Sequence, residues 1–181
     1  MIVFLIGYMG SGKSLVGGQL AKILNYNFCD FDAYIEHKEN ASIQEIFNNK
    51  GEIYFRKAEK LYLEEIINLN NTVISLGGGT PCFGNNMAMI LEAKNSATVY
   101  LKTGIPILVE RLFKERSKRP LIAHLESKDE LSRYIGKHLF ERSFFYEQAP
   151  LSVKTDNRSA NEITKAIVLQ LGEMSFKLRS S

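Results

Sequence analysis

The residues Gly7-Tyr8-Met9-Gly10-Ser11-Gly12-Lys13-Ser14 follow the apolar run Ile2-Val3-Phe4-Leu5-Ile6 and precede a helical pattern. Glycines at this spacing let the backbone curl so that successive N–H groups face one hollow. The positive end of the following helix opens into the same hollow. Phosphate oxygens suit such a place. Lys13 is spaced to reach the β- and γ-phosphates, and the Ser14 hydroxyl is placed to ligate Mg²⁺. A glycine-rich turn that merely happens to precede a helix would not require strand, loop, Lys-Ser pair and helix to agree. The stretch is therefore read as a site for a nucleoside triphosphate.

Asp30 and Asp32 are the next candidates, because two residues apart on an extended segment they point the same way. One can hold Mg²⁺ through its water shell while the other meets a substrate hydroxyl. The plainer reading makes Asp32 a helix N-cap and Asp30 a strand-end residue in a turn. Gly77-Gly78-Gly79, after the apolar Thr72-Val73-Ile74-Ser75-Leu76, permits close backbone approach to a ligand but equally makes a tight turn. Arg56 and Arg142 each read alone as solvated surface arginines. Taken together, they could supply the planar, bidentate partner that a small acid's carboxylate would need.

Short apolar strands alternating with helical patterns position these residues. The candidate strands are Ile2 to Ile6, the stretch around Phe28-Cys29, Thr72 to Leu76, Ala97 to Leu101 and Leu151 to Lys154. Such alternation requires a parallel sheet covered on both faces, an α/β three-layer sandwich with five strands. Ligands gather at the carboxyl ends of such strands, so the glycine loop, Asp30-Phe31-Asp32 and Gly77-Gly78-Gly79 are expected to converge on one edge. Ser42 with Glu45, and Ser127 with Glu130, read as capping boxes opening helices, and Gly51 interrupts the first of these. Ile163, Ile167 and Leu171 mark a last helix, with a frayed tail expected over 173–181.

At 181 residues, 45% hydrophobic and 24% charged, the chain is sized for one soluble domain, placed at 1–172. A net charge of +3 is too small to imply a nucleic-acid or membrane partner. The apolar start lacks a basic flank and the length of a span. Cys29 and Cys82 lie far apart with no metal or disulfide spacing, as expected in a reducing cytoplasm, and His37, His124 and His138 are assigned no role.

The ordered set GYMGSGKS, DFD, SIQEIF followed by FRKAE, ISLGGG, the basic KRPL segment and ERSFFY resembles the shikimate kinase family, within the nucleoside-monophosphate-kinase-like P-loop group. The likeness runs to about Leu171. It implies a P-loop NTPase fold with a mobile lid at about 114–124, and transfer of the γ-phosphoryl of ATP to the 3-hydroxyl of shikimate by a protein that is usually monomeric. By this resemblance Ser14 and Asp30 would serve Mg²⁺, and Gly10, Ser11, Gly12, Lys13, Ser14 and Leu15 would cradle ATP phosphate. Asp32, Arg56, Gly78 and Arg142 would hold shikimate, with Phe47, Phe55 and Glu59 lining or bracing its pocket. Arg119 would belong to the lid and reach the phosphates on closure, and Arg111 would lie against the adenine. Asp32, Lys13 and Arg119 would then carry the catalysis. The chain departs from the family's frequent R-x-P-L-Y at Arg142-Ser143-Phe144-Phe145-Tyr146. Its stretch Thr155-Asp156-Asn157-Arg158-Ser159 contains no residue that the resemblance matches to the adenine side. The rival readings are a related small-metabolite kinase such as one for gluconate, a nucleotide-binding regulatory module, and an inactive paralogue used for scaffolding.

Overall fold

The computed structural model describes residues 1–179, with the side chains of 118 and 175–179 outside that description. In chain order the elements are β1 Ile2–Ile6, α1 Lys13–Leu24, β2 Asn27–Asp30, α2 Phe31–Glu39, α3 Ile43–Ile66 and β3 Thr72–Ser75. They continue as α4 Asn86–Glu92, β4 Ser96–Lys102, α5 Ile105–Glu115, α6 Lys128–Tyr146, β5 Leu151–Lys154 and α7 Ala160–Arg179. Short 3₁₀ turns at Thr80–Cys82 and Arg116–Lys118 lie between β3 and α4 and after α5.

The strands form one sheet in the order β2-β3-β1-β4-β5, and every pairing is parallel. Alternation along β1 divides the core between two layers of helices. Ile2, Phe4 and Ile6 pack with residues of α2 to α6, whereas Val3 and Leu5 pack with α1 and α7. The central strands β1, β3 and β4 are thus buried on both faces, which is why they read as continuous apolar runs, whereas the edge strands β2 and β5 are partly exposed and mix polar residues in. On α1, Val16 and Leu20 are buried but Ile23 faces out, its place on the inner side taken by Ala21.

Both capping boxes form, Ser42 with Glu45 and Ser127 with Glu130. Gly51, at φ 79° and ψ 170°, breaks α3 into two helical stretches that run on across the kink. The last helix continues past Gly172 to Arg179, where the sequence reading expected fraying. Met174 extends the Ile163-Ile167-Leu171 stripe and is partly buried against the same core, which carries the packed face past Gly172. Residues 180–181 of the expected tail lie outside the described residues. No helix among the described residues is long and apolar enough to cross a membrane.

Register sets the working edge. Leu5 of β1 is level with Ser75 of β3, and Ser75 is level with Asp30 of β2. The loops after these strands therefore emerge side by side, where the direction of strand order reverses around β1.

Candidate active site

The loop between β1 and α1 wraps with Gly10 at φ 80° and Gly12 at φ 94°, a left-handed backbone that side-chain-bearing residues avoid. No side chain caps α1, so its first N–H groups are left to the cleft. A cleft of about 720 Å³ opens there, and Gly10, Ser11, Gly12, Lys13, Ser14 and Leu15 all line it. The Ser11 Oγ is buried and has no hydrogen-bond partner among the described residues. An orphaned hydroxyl in a hollow of N–H groups fits an anionic oxygen arriving from outside.

Lys13 is nearly buried, and its Nζ donates to the carbonyls of Gly7 at 2.8 Å and Tyr8 at 3.1 Å. Burial pushes its pKa down to about 8, against the upward pull of Asp32 and Asp30, with Arg119 adding to the fall. Ser14 Oγ donates to Asp30 Oδ2 at 2.7 Å. Asp30, rather than Asp32, caps α2, accepting from the Ala33 N–H at 3.4 Å. Asp32 sits inside the first turn of that helix, so the two aspartates do not share one extended segment as the spacing suggested. They are nonetheless neighbours across the cleft lining. Burial first, and then the Asp30 charge, lift the Asp32 pKa to about 6 against the pull of Lys13. A Cβ on Gly77 would lie 2.5 Å from Asp32 Oδ1, so only glycine leaves the carboxylate its place.

Gly78 is shared between two halves of the site. A Cβ there would stand 3.2 Å from the Met9 N–H nitrogen of the loop, and its own carbonyl accepts from the Tyr146 hydroxyl. On the far side lie the arginines, neither of which lines the nucleotide cleft. The Arg56 guanidinium donates to the buried Glu59 at 3.0 Å, and Thr80 Oγ1 donates to the other oxygen of that carboxylate at 2.8 Å. Phe47 and Phe55 stack beside it, with ring centroids 4.7 Å apart. The Arg142 guanidinium lies 5.7 Å from the Tyr8 ring centroid. Both arginines are near enough to Cys82 to oppose the rise that burial imposes on its thiol, which still reaches about 11.

Arg111 Nη1 donates to the Gly10 carbonyl at 3.0 Å, tying α5 to the loop, and its side chain also lines the cleft. Arg119 lines the cleft while held by Glu115, Nη2 to Oε2 2.8 Å. Several residues escaped sequence reasoning. Arg158 lines the cleft beside Ala160 and Ile163, within the stretch to which no contact was assigned. Tyr8 shares a hydrogen bond with His138 Nδ1 at 3.2 Å, giving that histidine a partner where none was foreseen. Phe83 covers the Arg56 guanidinium. None of these belongs to a spaced motif; each depends on contacts between distant segments.

A parallel sheet of this order, with a phosphate-binding loop after β1 and an acidic pair and arginines at the same edge, defines a P-loop kinase acting on a small acceptor. The family model described as shikimate kinase matches residues 9–172, and the chain belongs to that family. A shikimate kinase of Flavobacterium johnsoniae is 46% identical over 167 residues, covering 92% of this chain and 96% of the relative. The crystal structure of shikimate kinase from Bacteroides thetaiotaomicron superposes with a TM-score of 0.85 at 35% identity, covering 96% of this chain and 97% of its own. That of shikimate kinase from Acinetobacter baumannii in complex with shikimate gives 0.84 at 29% identity, covering 95% and 93%.

Proposed function

We propose that the chain transfers the γ-phosphoryl of ATP to the 3-hydroxyl of shikimate, yielding shikimate 3-phosphate on the route to chorismate and the aromatic amino acids. The observation that carries the reading is the position of Asp32. Its carboxylate lines the cleft with the buried Lys13 of the phosphate loop and abuts Gly77, and burial together with the neighbouring Asp30 charge lifts its pKa to about 6, against the pull of Lys13. A hydroxyl held there has an acceptor tuned close to neutrality. In the loose transition state of phosphoryl transfer, charge on the equatorial oxygens dominates, so Asp32 orients the hydroxyl first and takes its proton second. Lys13 exchanges its two carbonyl partners for phosphate oxygens, and Arg119 leaves Glu115 to join it as the segment at about 114–124 closes as a lid. Water is excluded by that closure, which suppresses hydrolysis of ATP. Arg111 and Arg158 flank the remaining part of the cleft, where the adenine fits. Arg56, Gly78 and Arg142 receive the acceptor.

Mg²⁺ fits Ser14 and Asp30. A hydroxyl and a carboxylate already in contact are two hard oxygens, the modest protein share expected of an ion that keeps most of its waters. When bound, it supplies neutralisation of phosphate charge. The two free thiols agree with a reducing, cytoplasmic setting, and a monomer with no nucleic-acid or membrane partner completes the reading.

A coupled assay of ADP release with ATP and Mg²⁺, comparing shikimate, gluconate and no acceptor, tests it. Shikimate-dependent release is expected. Release with gluconate alone transfers the argument to a related kinase, and release independent of any acceptor removes the acceptor site from the function.

A further inference from the structure

The acceptor half of the site contains an aromatic ring that the motifs do not mention. Phe83 follows the 3₁₀ turn Thr80–Cys82, and its ring centroid lies 3.4 Å from Cζ of Arg56. Phe55 and Phe47 are farther from the same guanidinium, at 5.1 and 6.0 Å. At Gly79 the three parts meet: a Cβ there would be 3.5 Å from both terminal nitrogens of Arg56 and 3.5 Å from the Phe83 ring. The ring and the bare backbone together leave the guanidinium little room to tilt.

The hydrogen bonds divide Arg56's partners into a fixed one and a loose one. Glu59, with a side chain only 2% exposed, accepts at 3.0 Å and also accepts from Thr80 of the turn that carries Phe83. Asn86 in turn holds the Thr80 carbonyl at 2.9 Å. Glu52, 58% exposed, accepts at 3.4 Å from Nε and Nη2. An incoming carboxylate can displace Glu52 far more readily than Glu59, because Glu52 returns to water and Glu59 cannot. On that exchange Arg56 loses one of its side-chain restraints. What remains is the Glu59 bond, which fixes one edge of the guanidinium, and the stack on Phe83, the nearest ring over its face.

We infer that Phe83 is a positioning residue for acceptor recognition: it holds the Arg56 guanidinium flat and partly dehydrated, so that its in-plane N–H donors meet the carboxylate of a small hydroxy acid. A ring face attracts the cation and stiffens it, and exclusion of water on that side strengthens the charge pair. The inference rests on the proposed acceptor site.

The test is steady-state kinetics on Phe83→Leu and Phe83→Met, which keep apolar bulk without a ring, and on Phe83→Tyr, which keeps the ring. The leucine and methionine variants are expected to raise KM for shikimate roughly 3- to 30-fold, as the range for a partly desolvated cation–π contact implies. The KM for ATP and kcat stay within about twofold, and Phe83→Tyr stays near the parent, as the retained ring predicts. An unchanged shikimate KM in both ring-less variants overturns the inference. So does an equal rise for shikimate and ATP, or a rise in Phe83→Tyr matching that in Phe83→Leu. A parent that does not turn over shikimate overturns the proposed function and this inference with it, whereas an active parent with indifferent Phe83 variants sinks the inference alone.

Discussion

Asp32 is held at a cost to the fold, and the sign of that cost is testable. Its folded pKa of about 6 lies above the 3.8 of a free aspartate, chiefly through burial. Well below pH 3.8 the carboxyl is protonated in both states and contributes nothing. As pH rises towards 6 the unfolded chain releases the proton while the folded one keeps it, so stability falls, and above 6 the whole penalty is present. Asp32→Asn should therefore raise stability above pH 6 by on the order of 1–3 kcal/mol, with almost no gain at about pH 3, while its kcat falls steeply. Urea titrations at the two pH values check the first part; equal gains at both would mean the carboxylate is not strained. Activity of the parent should form a bell. Its acid limb is set by Asp32 near 6 and its alkaline limb by the buried Lys13 near 8, since the hydroxyl acceptor must be ionised and the phosphate partner protonated. A pH–kcat/KM profile flat from 5 to 9 would remove both groups from the rate.

At the scale of elements, α3 and the turn after β3 are joined through one buried carboxylate. Glu59 binds Arg56 on its own helix and Thr80 on the turn, so it sets the distance between the helix and the glycine wall. Glu59→Ala strands Thr80 and frees a partly exposed arginine. A loss of about 2–4 kcal/mol follows from breaking such a pair, reduced because Arg56 retains some water. Chemical denaturation measures it, and a loss under 0.5 kcal/mol would show the bridge to be decorative. The contrast with what the sequence discloses is instructive. Capping boxes, the Gly51 break and the phosphate loop are all local, built from residues a few positions apart, so their chemistry is visible in spacing. The roles of Asp30 as cap, Tyr146 on Gly78, His138 on Tyr8 and Phe83 on Arg56 are not. Each depends on where a helix lands on the sheet, and short polar or aromatic residues carry no periodic signature of a distant partner. Even the acidic pair was legible in residue type but not in geometry, because the strand ends at Asp30, two residues short of Asp32, and the helix begins at Phe31.

In the proposed reading the whole molecule holds two ligands on either side of Gly77–Gly78, the nucleotide in the cleft of the phosphate loop and the acceptor at Arg56 and Arg142. Each ligand should therefore stabilise the fold through its own contacts. A ligand at a hundred times its Kd adds about 2.7 kcal/mol, or roughly 5–10 °C in Tm for a chain of this size. Lys13→Ala should lose the shift produced by ATP with Mg²⁺ and keep the one produced by shikimate. Arg142→Ala should do the reverse, its shikimate affinity falling by roughly 2–5 kcal/mol if the carboxylate pair is desolvated. Arg119, on the segment beyond α5, hydrogen-bonds from its side chain to Glu115 among the described residues, and stands to gain phosphate partners when nucleotide is present. Arg119→Ala should accordingly keep each separate shift but lose the extra stabilisation seen with both ligands, because that excess measures closure rather than either contact. Thermal scans of the parent and three variants with each ligand, and with both, decide it. If Lys13→Ala and Arg142→Ala each lose both shifts alike, the two regions are one cooperative unit, and the division at Gly78 has no thermodynamic meaning.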